Sequence, residues 1–148
     1  MSNDIALEPI HHIVCAVESE EASAPAIAEA ARITVPLNAR LSVVHICGTV
    51  ARFSGGTTTR GPSAEQLQDE LVADAHRWLD PLAQRMNGEA IELVGDLPAR
   101  TLGDWAREQN ADMIVVCPHR RGLAKLLGSF AAELVREAPC PIVLAPHR

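Results

Sequence analysis

The sequence predicts an α/β protein: one parallel β-sheet with helices on both faces. Three observations predict it. Short β-prone runs alternate with helix-prone stretches from residue 11 to residue 146, and parallel neighbours need a crossover that a helix supplies. Runs such as "MIVV" and "PIVLA" are continuously apolar, as suits strands covered from both sides rather than one. The 148 residues are 47% hydrophobic and 22% charged, enough apolar surface for a core without disulfides or metals.

The elements follow in order. "HHIVCAV" (11–17) reads as the first strand, and "EASAPAIAEAARI" as the first helix, where Pro25 is tolerable only in the opening turn. "RLSVVHIC" (40–47) is the second strand. The stretch 48–62, rich in Gly and Thr, reads as a loop longer than a simple connector needs. Ser63 and Gln66 form a capping-box pattern before a helix whose apolar face is Leu67, Leu71, Ala75, Trp78, Leu82 and Met86. Pro81 should bend or split that helix by removing a donor and crowding the preceding turn. "EAIELVG", "LPARTLGDWAREQN", "DMIVVCP", "GSFAAELVREA" and "PCPIVLAP" then give strand, helix, strand, helix, strand. Five strands and four helices make one domain over residues 1–148, with no repeat, linker or low-complexity segment.

Composition excludes several functions. A net charge of −6 and 3% aromatics, with no tyrosine, oppose nucleic-acid and membrane-surface binding. "MSNDIALEPI" lacks the basic and apolar regions of a leader, and no apolar run approaches a membrane span, so the expected location is cytoplasmic. Cys15, Cys47, Cys117 and Cys140 form no CxxC pair and read as reduced core residues. No hydrolase elbow, phosphate-binding Walker loop or zinc-protease motif occurs. His11, His12, His45 and His76 have no partner at a diagnostic spacing and read as structural or surface groups. Asp96 reads as a helix cap. A receiver-type phosphoacceptor would need a lysine after the last strand, where "LAPHR" has none.

An open parallel sheet binds ligands beyond the carboxyl ends of its strands, where strand order reverses. With five strands that crevice falls between the first and the fourth. The loops there are "ESEEAS" and the stretch opening at Cys117. Between Met113 and Ala132 no acid occurs, and Arg120, Arg121 and Lys125 give a local charge of +3, joined by His119 when protonated. Gly122 allows close backbone approach. Gly128 and Ser129 open a helix whose free N–H groups and dipole favour an anion. Glu18, Glu20 and Glu21 on the facing loop offer the competing reading, internal ion pairs with Arg120 and Arg121 worth about 0–1 kcal/mol each.

The segments "HHIVCAVESEEASAPAIAEAARI", "ELVGDLPARTLGDWAREQNADMIVV" and "GLAKLLGSFAAELVREAPCPIVLAP" together resemble the universal stress protein (UspA-like) family. The resemblance implies an adenine nucleotide alpha hydrolase-like fold with strand order 3-2-1-4-5, a homodimer, and a stress-response or signalling role without established catalysis. Some members bind ATP or AMP. Nucleotide-binding members carry an aspartate after the first strand and a G-x-x-G, spacer, G-[S/T] signature after the fourth. Here Glu18 replaces the aspartate, Cys117 and Arg120 replace the two leading glycines, and the spacer is shortened to residues 121–127. Gly128 and Ser129 match. The resemblance places Ala16, Val17, Glu18 and Ile46 at the adenine and ribose, and Gly128, Ser129 and Phe130 at the phosphate. Charge adds His119, Arg120, Arg121 and Gly122. Side chains at Cys117 and Arg120 narrow the approach of a triphosphate, so AMP or another small anion is the ligand expected to suit these residues. The alternative is a dimeric interaction protein that works without a ligand. No metal is implied. The last strand, Pro139 to Pro146, should lie at a sheet edge, where pairing with a second copy would cover it.

Overall fold

The computed structural model describes residues 5–50, 61–118 and 129–147, with only the backbone of Ser129. The sequence-nominated His119, Arg120, Arg121, Gly122 and Gly128 lie outside the described residues, as do Lys125 and positions 51–60 of the expected loop.

The described elements are β1 (His12–Ala16), α1 (Ala24–Leu37), β2 (Arg40–Cys47), α2 (Ala64–Arg85), β3 (Glu89–Val94), α3 (Pro98–Glu108), β4 (Met113–Val116), α4 (Ser129–Glu137) and β5 (Ile142–Leu144). The strands form one parallel sheet in the order β3-β2-β1-β4-β5, as the resemblance implied. Ile13 sits opposite Leu41 on one side and Met113 on the other, which fixes the register of the sheet centre.

Strand pleating sorts the apolar runs into two layers, because successive side chains leave opposite faces. Ile13, Cys15, Val43 and Val115 pack with Leu79, Leu82 and Ala83 of α2 and with Ala26 and Ala30 of α1. Val14, Val44, Ile114 and Val116 pack with Leu102 and Ala106 of α3 and Leu134 of α4. Ile13, Val14 and Cys15 are each fully buried, so β1 is a central strand covered twice.

Local chemistry sets the helix ends. Pro25 lies in the first turn of α1, and Asn38 stops that helix in the left-handed conformation at φ 48°. Ser63 Oγ accepts from Gln66 N at 3.1 Å while Gln66 Oε1 accepts from Ser63 N at 2.8 Å, the expected capping box. Three expectations are corrected. α2 runs unbroken through Pro81 from Ala64 to Arg85, since losing one donor near the end of a long, packed helix is outweighed by the burial of Leu79, Leu82 and Ala83. The buried stripe also drifts: Leu71 is 47% exposed and Leu79 takes its place in the core. Asp96, for its part, does not cap α3. The cap position is Leu97, and Asp96 Oδ1 instead accepts from Thr49 N at 3.1 Å and Thr49 Oγ1 at 2.7 Å.

A polar lock closes the amino end of the sheet. His12 is buried at 4% exposure, with Nδ1 3.3 Å from Gln109 O and Nε2 2.8 Å from Ser42 Oγ. The carbonyl can only accept, so Nδ1 donates and Nε2 takes the serine proton in the neutral ring. Asp112 Oδ2 accepts from the backbone N–H groups of His11 and His12 at 2.8 and 2.9 Å. Burial pushes the His12 imidazole below its ordinary 6.5, with Arg40 acting in the same direction and Gln109 O, Asp112 and Glu89 opposing. A lowered value means that folding favours the neutral ring. This stability is therefore complete above 6.5 and is lost as pH falls through the folded value. The His11 N–H, first among the hydrogen bonds it accepts, holds Asp112 below 3.8, so its contribution is present above 3.8 and is lost in stronger acid. Urea midpoints are expected to fall between pH 7.5 and pH 5, and the fall to shrink in His12→Gln. Equal falls in both proteins would refute the assignment.

Candidate functional site

The cleft is built where β1 and β4 release the chain. Val17 N still donates to Val44 O at 2.8 Å, extending the ladder one residue past β1. The chain then turns on its own hydroxyls. Glu18 N donates to Ser23 Oγ at 2.8 Å and Ala22 N to Ser19 Oγ at 3.0 Å. Ser23, at the cap position of α1, is thereby used by the loop and makes no side-chain cap. The first-turn N–H of Ala26, a fully buried residue, is taken instead by Cys117 Sγ at 3.1 Å. A thiol just after β4 thus caps the helix that follows β1, and it does so across the sheet.

This bond joins the two loops that sequence reasoning placed together. Around it lies a cleft of about 770 Å³. Ala16, Val17, Glu18, Ser19, Glu21, Ala22 and Ser23 form one wall, and Val44, His45 and Ile46 of β2 form the next. Pro98 at the start of α3, Phe130 and Ala131 at the start of α4, and Val116 to Pro118 complete it. Of the nominated residues, Ala16, Val17, Glu18, Ile46 and Phe130 line this cleft, and Ser129 heads α4 immediately before Phe130. The Ser19–Ser23 turn belongs to the "ESEEAS" loop expected here, whereas sequence reasoning missed Pro98 and His45, the latter read only as a structural or surface group. Pro98 carries no local signal, because its place here follows only from how α3 packs beneath β2 and β3.

The charges are arranged unevenly. Among the described lining residues Glu18 and Glu21 are acidic and none is Lys or Arg. Glu20 pairs with Arg85 Nη2 at 2.6 Å, and the expected partners Arg120 and Arg121 lie outside the described residues. Among the described residues, the feature of this cleft that favours an anion is the α4 amino terminus.

Beside the cleft, His45 Nδ1 lies 2.8 Å from both carboxylate oxygens of Glu92 on β3. The Glu92 side chain is 1% exposed and that of His45 19%. Trp78 of α2 stands edge-on to the imidazole at 5.2 Å. Burial first, then the Glu92 carboxylate, pushes the Cys47 thiol up to about 11. Cys15, also raised chiefly by burial, reaches about 12. Both therefore stay protonated at neutral pH and are poor nucleophiles. Cys15 is fully buried, while Cys47, Cys117 and Cys140 are half-buried. Among the described residues no group of three or more His, Cys, Asp and Glu is placed to hold a metal, and no helix is long and apolar enough to cross a membrane.

Comparison with known proteins agrees with this architecture. A search of curated proteins finds no match. Among solved structures, the universal stress protein UspA from Lactobacillus plantarum superposes with a TM-score of 0.71 at 20% identity, covering 94% of this chain and 99% of that one. A universal stress protein in complex with cAMP gives 0.64 at 20% identity, covering 95% and 100%. The universal stress protein from Archaeoglobus fulgidus in complex with dAMP gives 0.61 at 22%, covering 93% and 98%. At these identities the likeness establishes the fold, and the family rests on the sequence model of the universal stress protein family, which matches residues 9–146. With the order β3-β2-β1-β4-β5 and the cleft at the ends of β1 and β4, that match over nearly the whole length identifies the chain as a member of the universal stress protein family.

Proposed function

We propose that this chain is a single-domain, non-catalytic, cytoplasmic stress-response module whose β1–β4 cleft binds an adenine mononucleotide. The observation that carries the reading is the cleft itself. Its volume of about 770 Å³ falls within the roughly 300–1,000 Å³ of small-molecule sites. Ala16, Val17 and Ile46 offer an apolar bed for a base, and Phe130 with the head of α4 stands at the opposite side for a phosphate. Relatives of the same fold are seen with cAMP and dAMP. Cys117, standing where binding members have glycine, keeps its thiol on Ala26 N, which favours a monophosphate over ATP.

Calorimetric titration with AMP, ATP and cyclic AMP tests this. AMP is expected to bind more tightly than ATP, and at a hundredfold excess over Kd to stabilise the fold by about 2.7 kcal/mol. Arg120→Ala is expected to weaken AMP binding through loss of positive charge. Absence of heat and of thermal stabilisation with all three nucleotides would leave the ligand-independent interaction protein, against which the open cleft now speaks.

The dimer belongs to the same proposal. β5 is a sheet edge, Leu144 on it is 45% exposed, and Val135 on neighbouring α4 is 67% exposed. Pairing of residues 139–146 with a second copy would cover that edge. Light scattering at micromolar concentration is expected to give twice the chain mass, and a monomer mass would refute it.

A further inference from the structure

A buried carboxylate is costly, and an internal ion pair adds little stability over apolar residues of like volume. Glu92 is nonetheless enclosed on β3, directly across from His45 on β2. Both of its oxygens lie 2.8 Å from His45 Nδ1. A carboxylate only accepts, so the proton of the neutral imidazole is on Nδ1 and the lone pair is on Nε2. Trp78, edge-on at 5.2 Å, fixes the plane of the ring. Nε2 has no hydrogen-bond partner among the described residues, and the His45 side chain keeps 19% of its surface exposed. His45 lines the cleft. An acceptor whose rotamer and tautomer are both locked from behind is the arrangement that holds a specificity contact in place.

We propose that His45, positioned by Glu92, is a specificity-determining residue of the cleft whose Nε2 accepts a hydrogen bond from an N–H or O–H donor on the nucleoside half of the ligand. The assignment rests on the nucleotide reading above. β2 lies across β1 from β4 and α4, which puts His45 on the base and ribose side. A phosphate dianion carries no donor for this lone pair. Three groups of an adenine mononucleotide supply the required chemistry there, the 6-amino group of the base and the 2′- and 3′-hydroxyls of the ribose.

Titration of the full chain with AMP, 2′-deoxy-AMP, 3′-deoxy-AMP and IMP distinguishes them, since each deoxy analogue lacks one hydroxyl and IMP has a carbonyl for the amino group. The wild-type chain is expected to bind AMP about 5–10-fold more tightly than the analogue missing the donor, the worth of one buried hydrogen bond. A double variant, His45→Phe with Glu92→Met, keeps a ring against Trp78 and leaves no charge buried alone. It is expected to bind that analogue and AMP alike. Glu92→Gln preserves volume but no longer dictates the tautomer, and is expected to lose about 2–3-fold of the discrimination. Equal affinity of the wild-type chain for all four nucleotides, or discrimination unchanged in both variants, overturns the assignment and leaves the nucleotide site standing. Failure of the wild-type chain to bind any of the four overturns both.

Discussion

Leu134→Ala is expected to lose about 2–5 kcal/mol of folding stability, the largest effect of any single truncation on α4. Leu134 is fully buried in the layer formed by Val14, Ile114, Val116 and Leu102. Removing its branched end forfeits the transfer free energy of the missing carbons and leaves a cavity, and the spread in cost reflects how far the site can collapse. Collapse is restricted here because α4 is nine residues long and packs against both the sheet and α3. The control is the preceding residue. Glu133 is exposed, so Glu133→Ala should stay within about 0.5 kcal/mol. Urea denaturation of the two variants decides the matter, and similar midpoints would show that α4 does not pack as described.

Gly103→Val is expected to cost stability at the upper end of the about 1–3 kcal/mol typical of overpacking. Gly103 lies on the face of α3 that meets the carboxyl end of α4. A Cβ there would stand 2.5 Å from Glu137 O and 2.9 Å from Glu137 C. Both are backbone atoms, so no rotamer change relieves the clash, and the helices must separate. The same carbonyl accepts from Arg107 Nη2 at 3.2 Å, and that bond would be disturbed as well. Valine gains only a few tenths of a kcal/mol in helix propensity over glycine, too little to offset the steric term. A domain of this size shifts Tm by about 2–4 °C per kcal/mol, so a drop of several degrees is the expected reading. An unchanged or higher Tm would refute the close approach of α3 and α4.

The fold was legible because it rests on periodicity. The continuous apolar run "MIVV" reads as a strand with two covered faces, and the observed β4 is buried accordingly, whereas "PIVLA" gives β5, an edge strand on which Leu144 is 45% exposed, because no further strand of the sheet lies beyond it among the described residues. β2 matches its predicted bounds, and the Ser63–Gln66 box forms as written. The crevice between β1 and β4 followed from topology, and Ala16, Val17, Glu18, Ile46 and Phe130 meet there. Asp96 was misjudged because a cap and a loop tie use the same carboxylate chemistry, and only the position of Thr49, 47 residues away, decides between them.

The amino-acid order by itself determined which segments become strands and helices, the sign of charge on the two loops, and the end of the sheet at which a ligand would sit, because each depends on near neighbours in sequence. Only the tertiary structure decided that Cys117 caps α1 through Ala26, that Glu20 goes to Arg85, and that Glu92 stands behind His45. These contacts join residues from 47 to 91 positions apart, and hydrogen bonds and ion pairs reach only a few ångströms. No local pattern can encode such a meeting before the crossovers bring the strands side by side.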